Sequence, residues 1–492
     1  MNFKDFSKKV SKPYVHFDFP LGKKEKRGFF KLVKKPSYVV KHRFFPFIKF
    51  EINFQKHPTK DKKVNKKVRP IAVVSHHDAG IYGYYATLLN EKYNAYTMER
   101  GVDQVAVAYR TGNGHRGVSN VTVAHEVFDF IDGIDSGWVM KGDFKGFFDN
   151  LDHQLIDKNL MSVLGELPGV QNLAWRKVVG HLKKFQAVKK ETLKKRMKLA
   201  NYPESTKKGE SKALFDSIEE LGRFLSNNKD IITHNLNGFG IPQGTGLSAV
   251  LANVYMIEFD EFVQKTIFDL GGLYRRYSDD FIVVLPQTLN KREFEELSDV
   301  IIGKSKELVR LEIEKHKTKQ LQFTKGQFFN LKQSTKNKVG LDYLGFLFAD
   351  NTVSVRGSST YKYYYRGRKA FKAATTSKNI YQISVSSPEM DFADVYAEFI
   401  STPRPPQVVK VIERKIRRIK RQADKKRGLP EIHGSYRRYG IDPKLSRPKT
   451  SYIAYALIAD KEFKKTNHSY KVVILHQMNK QRSKLTRYYL HR

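Results

Sequence analysis

The stretch RRYSDDFIVVLP, residues 275–286, sets two adjacent acids in a chain that is otherwise strongly cationic. LYRRY (273–277) and FIVVL (281–285) are rich in aromatic and β-branched residues, with only Ser278, Asp279 and Asp280 between them. That pattern predicts a tight β-hairpin with acids at its tip. Like charges at a turn repel unless a cation binds there. Alone, the pattern is an ordinary polar turn, so its meaning depends on whether another acid arrives from elsewhere.

A candidate lies in WVMKGDFKGFFDNLDH, residues 138–153. The run Trp138–Phe144 reads as a strand with Asp143 near its end, followed by a turn or helix. Strand-end acids from neighbouring strands can hold Mg2+, a hard cation that prefers carboxylate oxygen and shares its shell with substrate phosphates. Two such ions about 4 Å apart activate a 3′-hydroxyl and stabilise a leaving pyrophosphate. Asp143 and Asp279 are 136 residues apart (279 − 143), and spacing alone does not bring them together.

Composition narrows the partner class. The 492 residues suffice for two to four packed subdomains, and they carry a formal net charge of +40. Such an excess repels itself unless a polyanion compensates it; nucleic acid is the usual one, with an anionic membrane surface as the rival. No apolar run approaches the ~20 residues needed to span a bilayer, and MNFKDFSKKVSK lacks a signal-peptide core. Cysteine is absent, which removes disulfides, thiolate nucleophiles and Cys-based zinc sites and is compatible with a cytosolic protein. Aromatics reach 13%, suited either to base stacking or to a large core.

Along the chain, residues 1–66 read as a basic N-terminal extension with aromatic patches, 67–137 as a mixed segment, and 138–350 as alternating strands and helices. A basic helical insertion occupies about 154–235 and contains an exposed polar loop, NYPESTKKGESK (201–212). Beyond 350 the chain turns helical and cationic. Ile412, Ile416, Ile419 and Ala423 form one apolar stripe on a helix stopped by Gly428 and Pro430, its other faces basic. That helix is either a solvated face or a track for a nucleic-acid backbone.

Taken in order, these segments resemble the motifs of reverse transcriptases. Asp143 with Phe148, GIPQGTGLSAVLANVYM (240–256) and YSDD (277–280) are similar to the successive palm motifs; KKVRPI (66–71) and VAYR (107–110) to the fingers motifs. LEIEKHKTK (311–319) is similar to the later palm motif, and VGLDYLGFLF (339–348) to the strand pair leading into the thumb. The ordered set covers about 66–350. The resemblance implies an α+β right-hand polymerase: an extension (1–66) packing on fingers (67–137), a palm of antiparallel sheet and helices (138–350), and a mostly helical basic thumb (351–492).

The resemblance also implies roles. Asp143, Asp279 and the Phe144 carbonyl would ligate two Mg2+ ions, with Mn2+ able to substitute, and Asp280 would be an accessory acid. Phe148 would lie under the sugar of the incoming nucleotide and clash with a 2′-hydroxyl, selecting deoxynucleotides. Gln243 would hydrogen-bond sugar or template, and Gly244 would permit close backbone approach. Arg69 and Arg110, with Lys67, would clamp the triphosphate, although each also reads as a surface cation. Lys317 would protonate pyrophosphate. Leu251, Val254, Tyr255, Phe259 and Phe262, on a helix from about Ser248, read as packing.

Some features depart from the common pattern or count for nothing. Ser278 is small at the variable position of the YxDD box, Ala249 stands where many relatives have Pro, and the long insertion has no retroviral counterpart. Ribonuclease H, integrase and His-Asn-His endonuclease residues are not evident, as in a stand-alone bacterial enzyme. GNGHRG (112–117) fits a dinucleotide fingerprint only literally and reads as a fingers loop. His76, His77 and Asp78 read as strand residues on opposite faces rather than as a metal set, and Asp152 reads as a helix cap.

HRFFPFIKF (42–50) and SYIAYALIAD (451–460) look most like the defence-associated, abortive-infection-type enzymes. That likeness implies a cytoplasmic bacterial antiphage polymerase using dNTPs, a structured non-coding RNA and a DNA product, with no membrane partner and with homo-oligomers common. Two other readings stay open. One is weakly templated or untemplated synthesis, primed on a tyrosine such as Tyr488 or Tyr489 in a flexible tail. The other is an RNA-binding scaffold without catalysis.

Overall fold

FIVVL is apolar at every position, where a half-buried strand would alternate, and the fold explains why. In the computed structural model, which describes residues 1–11, 17–55, 66–111, 119–203, 205–208, 211–332, 338–386, 438–440 and 451–490, Asp280–Pro286 is flanked on both sides. It pairs antiparallel with Ser136–Asp143 and with Leu273–Tyr277. Phe281 to Leu285 are all buried, as in a strand covered on both faces. On one side the Trp138 ring stacks on Phe294 of the helix Lys291–Val309, at 5.2 Å. On or beside these strands and on the helix Ile257–Asp269, the Phe144, Phe259 and Phe281 rings cluster. Gly142 makes room for one of them, since a Cβ there would meet the Phe281 ring at 2.4 Å.

The chain divides into two units, one of residues 1–119 and 137–321, the other of 120–136 and 322–492. The first also holds a second sheet, in the order Lys66–Val73, Phe47–Gln55, Gln186–Lys189, Ile232–His234. Arg69 lies opposite Ile52 in its antiparallel hairpin, so the expected boundary at 66 falls inside one supersecondary element. The insertion supplies the other two strands, one of them parallel to Phe47–Lys49. Its apolar side chains, including Leu193, Met197, Leu221 and Phe224, share a core with Phe17 and Ile48.

His76–Glu99 is a long helix capped by Ser75, whose hydroxyl accepts from the Asp78 amide at 3.0 Å. The histidines are therefore at a helix start and not in a strand. His76 pairs with Asp18, and Asp78 with His42. The helix expected from Ser248 begins at Gly246, capped by Thr245, and a second helix follows at Ile257–Asp269.

In the second unit the helix Asn120–Asp132 sits with Phe346–Ala349 and Tyr452–Phe463, Phe128 meeting both Phe348 and Phe463. The expected strand pair is present as Leu341–Tyr343 and Phe346–Ala349, joined by Leu344 and Gly345, both at positive φ. Tyr488 lies in the helix Ile474–Leu490 with the Arg368 guanidinium 4.4 Å from its ring, rather than in a loose tail. The basic helix of 407–427 and the GNGHRG loop lie outside the described residues. Among those described, no helix is long and apolar enough to cross a membrane.

Candidate active site

The hairpin turns through two residues, Ser278 and Asp279, because Tyr277 and Asp280 are cross-strand partners. Ser278 takes φ +63°, a left-handed turn conformation tolerated at such tips. The neighbouring ladder places Asp143 directly opposite Asp280, the spacing at which cross-strand side chains interact. The Phe144 amide donates to the Asp279 carbonyl at 3.2 Å, closing the strand end against the turn. All three acids are thus gathered at one end of the sheet, and all are half-buried.

A fourth segment completes this end. The Lys145 amide donates to the Glu312 carbonyl, and the Glu314 amide to the Asp143 carbonyl, both at 2.9 Å. This lays Leu311–Lys317 along the acids and brings the Lys317 ammonium 3.3 Å from Asp143 Oδ2 and 2.5 Å from Glu314 Oε1. Burial raises the Asp143 carboxyl above its ordinary range; the Asp279 charge adds to this, and Lys317 opposes it. Burial works against the Lys317 ammonium, yet its hydrogen bonds to Glu314 and Asp143 prevail and raise it, so it is protonated at neutral pH. Glu314 was not singled out by sequence; its role as the lysine's second partner follows from the turn at 314–318.

Phe148 lies in a short 3-10 turn, Phe147–Asp149, its ring half-buried and edge-on to Phe147 at 5.4 Å. Its carbonyl accepts from the Ile241 amide at 3.0 Å, tying it to the Pro242–Gln243–Gly244 loop. The Gln243 carbonyl in turn accepts from Ala72 of the second sheet at 3.1 Å. Gln243 is exposed and, with Lys49, Asp149, Phe185 and Phe239, lines a cleft of about 440 Å3. Gly244 has φ +138°, and a Cβ there would sit 2.2 Å from the Ala72 carbonyl oxygen. Gly244→Ala therefore strains the loop and forces it off the strand. We expect a loss of about 2 kcal/mol in denaturant unfolding; an unfolding midpoint equal to wild type would contradict this geometry.

The two arginines expected to clamp a triphosphate differ. The side chains of Arg69 and Lys67 lie outside the described residues, although the strand bearing them runs alongside the loop of Gln243. Arg110 is buried in the fold. Its Nε donates to Asn94, one terminal nitrogen to the Asp103 and Ala106 carbonyls, and the other to Thr97 and the Asp103 carboxylate. All five guanidinium protons are engaged, leaving no donor for a triphosphate. The clamp role expected of Arg110 is corrected to a structural one.

A further buried arginine was missed. Arg276, 0% exposed, grips Asp260 through Nε at 2.9 Å and a terminal nitrogen at 2.6 Å. Its other terminal nitrogen donates to the Ser278 carbonyl at 3.0 Å and to Asn253 Oδ1 at 3.3 Å. Of the two arginines that precede the acids, this one anchors the turn from below.

Among the described residues no group of three or more His, Cys, Asp or Glu forms a ready-made metal cage. The donor chemistry nevertheless fits a hard cation: two carboxylates whose charges oppose each other, with an ammonium already drawn to one of them. Mg2+ is commonly held by one or two carboxylates and completes its shell with substrate phosphates.

No family model matches the chain, and no curated protein matches it. Among solved structures it is similar to apo telomerase from Candida tropicalis truncated from the C-terminal domain, with TM-score 0.39 and 12% identity over 68% of this chain and 60% of that one. It is similar also to apo telomerase from Candida tropicalis, with TM-score 0.35 and 14% identity over 62% and 47% of the two chains. Telomerase from Candida albicans in complex with a TWJ fragment of telomeric RNA gives TM-score 0.36 and 10% identity over 91% and 61%. The chain spans about half to three-fifths of the length of these structures. These are distant likenesses, and they fix neither a substrate nor a reaction for this chain.

Proposed function

We propose that the protein is an RNA-directed DNA polymerase. The observation that carries this reading is the meeting of Asp143, the Ser278–Asp279 turn and Lys317 at one sheet end, with Asp143 opposite Asp280. The Phe148 turn and the Gln243 loop are joined to each other beside it. A non-catalytic RNA scaffold has no need to gather three like charges, which oppose folding when no cation is bound.

Asp143 and Asp279, helped by the Phe144 carbonyl, would hold two Mg2+ ions, with Asp280 accessory. Bound there, the ions would supply activation of a primer 3′-hydroxyl and neutralise charge on the leaving pyrophosphate. The chain's own residues do the rest. Lys317, kept protonated by its two carboxylate partners, gives its proton to the leaving group. Gln243 orients sugar or template, Gly244 lets the loop approach the fingers strand, and the small Ser278 leaves room for the primer end. Phe148 sits where a 2′-hydroxyl would collide with it. Phe148→Ala is expected to raise use of ribonucleotides relative to deoxynucleotides by about tenfold or more, read as the ratio of incorporation efficiencies. An unchanged ratio would remove Phe148 from the sugar site.

The +40 charge suits an RNA partner. We further propose that this is a structured non-coding RNA, that the enzyme acts in the bacterial cytoplasm against phage, and that it assembles as a homo-oligomer. Purified protein with Mg2+, dNTPs, an added RNA template and a DNA primer tests the chemistry. Product that copies the added template supports templated synthesis. Homopolymer regardless of template, or nucleotide linked to a tyrosine in mass spectra, favours the untemplated alternative; no DNA product under any condition returns the chain to a scaffold.

A further inference from the structure

The insertion helices His153–Leu164 and Gly169–Lys183, with Arg43 and Phe44, enclose a cleft of about 890 Å3 that shares no lining residue with the candidate active site. Its apolar lining includes Leu160, Met161, Leu164, Trp175 and Val179. Met161 is 48% exposed despite its chemistry. One wall is a ring stack, Phe44 on His181 at 4.7 Å and 19°. The Tyr82 hydroxyl fixes His181 at 2.6 Å. Five cations line the cleft: Arg43, Arg176, Lys177, Lys183 and Lys184. Lys183 is paired with Asp157, the cleft's one acid among the described residues. The other four are all exposed, and none has an ion pair with a described residue.

Aromatic and apolar lining together with exposed cations that have no ion pair among the described residues matches an unpaired nucleotide strand, whose bases seek ring faces while its phosphates seek ammonium and guanidinium groups. A duplex stacks its base faces on one another and presents phosphates, sugars and base edges, so it gains little from ring faces in the walls. We propose that this cleft is an accessory site for single-stranded nucleic acid, built by the insertion and separate from the site of synthesis. The site stands on its own chemistry and does not depend on the polymerase reading.

The test uses full-length protein in EDTA, so that synthesis plays no part. Fluorescence anisotropy with a labelled, unstructured 12-nucleotide strand, as RNA and as DNA, is compared between wild type and the triple variant Arg43→Ala, Arg176→Ala, Lys177→Ala. A control of equal charge loss carries Lys291→Ala, Arg292→Ala and Lys306→Ala on the helix Lys291–Val309. The cleft variant is expected to lose about tenfold in affinity, and its salt slope should fall by about 2, near 0.7 per phosphate contact; the control should move neither. Photo-crosslinking of a 4-thiouridine strand should label peptides within 153–186. Preference for RNA names a template-side strand and preference for DNA a product-side strand, and either supports the site. Equal losses in both triple variants, or competition by a duplex or by anionic phosphatidylserine vesicles as strong as by the single strand, would overturn it.

Discussion

Asp279→Asn is expected to lower DNA synthesis by about a thousandfold while leaving the protein folded. The substitution keeps the size of the side chain and its place in a two-residue turn, and it removes one of the carboxylates proposed to hold Mg2+ against the reacting phosphate. Loss of a preorganised electrostatic group commonly reduces turnover by about 10^2–10^3-fold. Folding should respond differently. Burial raises the Asp143 carboxyl and repulsion from Asp279 adds to it, so neutralising Asp279 relieves part of that strain in the free protein. Thermal unfolding should stay within about 0.5 kcal/mol of wild type, or improve, and the Asp143 carboxyl should titrate nearer its ordinary range. Primer extension and calorimetry on the same preparation separate the two effects. Undiminished synthesis would defeat the proposed chemistry, whereas a parallel collapse of stability would leave the turn a purely structural device.

The second large effect concerns stability. Asp260→Ala leaves the Arg276 guanidinium buried without its counter-charge. It also strips the Tyr274 hydroxyl of the carboxylate it donates to at 2.9 Å. Breaking a buried pair in this way costs about 3–5 kcal/mol, equivalent to a fall of roughly 10 °C in melting temperature for a unit of this size. The exposed pair Arg292–Glu296 is the comparison; its removal should cost about 0.5 kcal/mol or less. Because Arg276 also holds the Ser278 carbonyl, synthesis should fall even below the unfolding temperature. A loss under about 1 kcal/mol in Asp260→Ala would show that the pair is not the anchor proposed.

These two residues also mark how far the sequence could be read. The hairpin was legible because an apolar run, a three-residue polar gap and a second strand-like segment have few other solutions. Its ladder with Ser136–Asp143 was not, since nothing local encodes a partner so far along the chain; that step came from resemblance. Arg276 and Arg110 were read no better than other arginines. Their partners sit 16 and 7 residues away or lie on other elements, and a cation in a strand or loop looks alike whether exposed or interred. The start of the helix at His76 could have been found: Ser75 with Asp78 three residues on is a capping pattern, and the paired histidines drew attention away from it. The strands Gln186–Lys189 and Ile232–His234 are too short to announce themselves inside a region of helical composition.

The helix Asn120–Asp132 leaves the ribosome before any of its packing partners in the second unit. Val123, Val127, Phe128 and Ile131 are buried in the finished protein, and Phe128 is met by rings from 348 and 463. During synthesis this greasy stripe must wait, unsheltered, until the distal half is made, which invites premature association and a need for chaperones. It also means that trimming the chain after residue 350 does not liberate a self-sufficient fold. It strips the cover supplied by Tyr452–Phe463 from the helix Asn120–Asp132, and such a truncation should precipitate more readily than the whole chain.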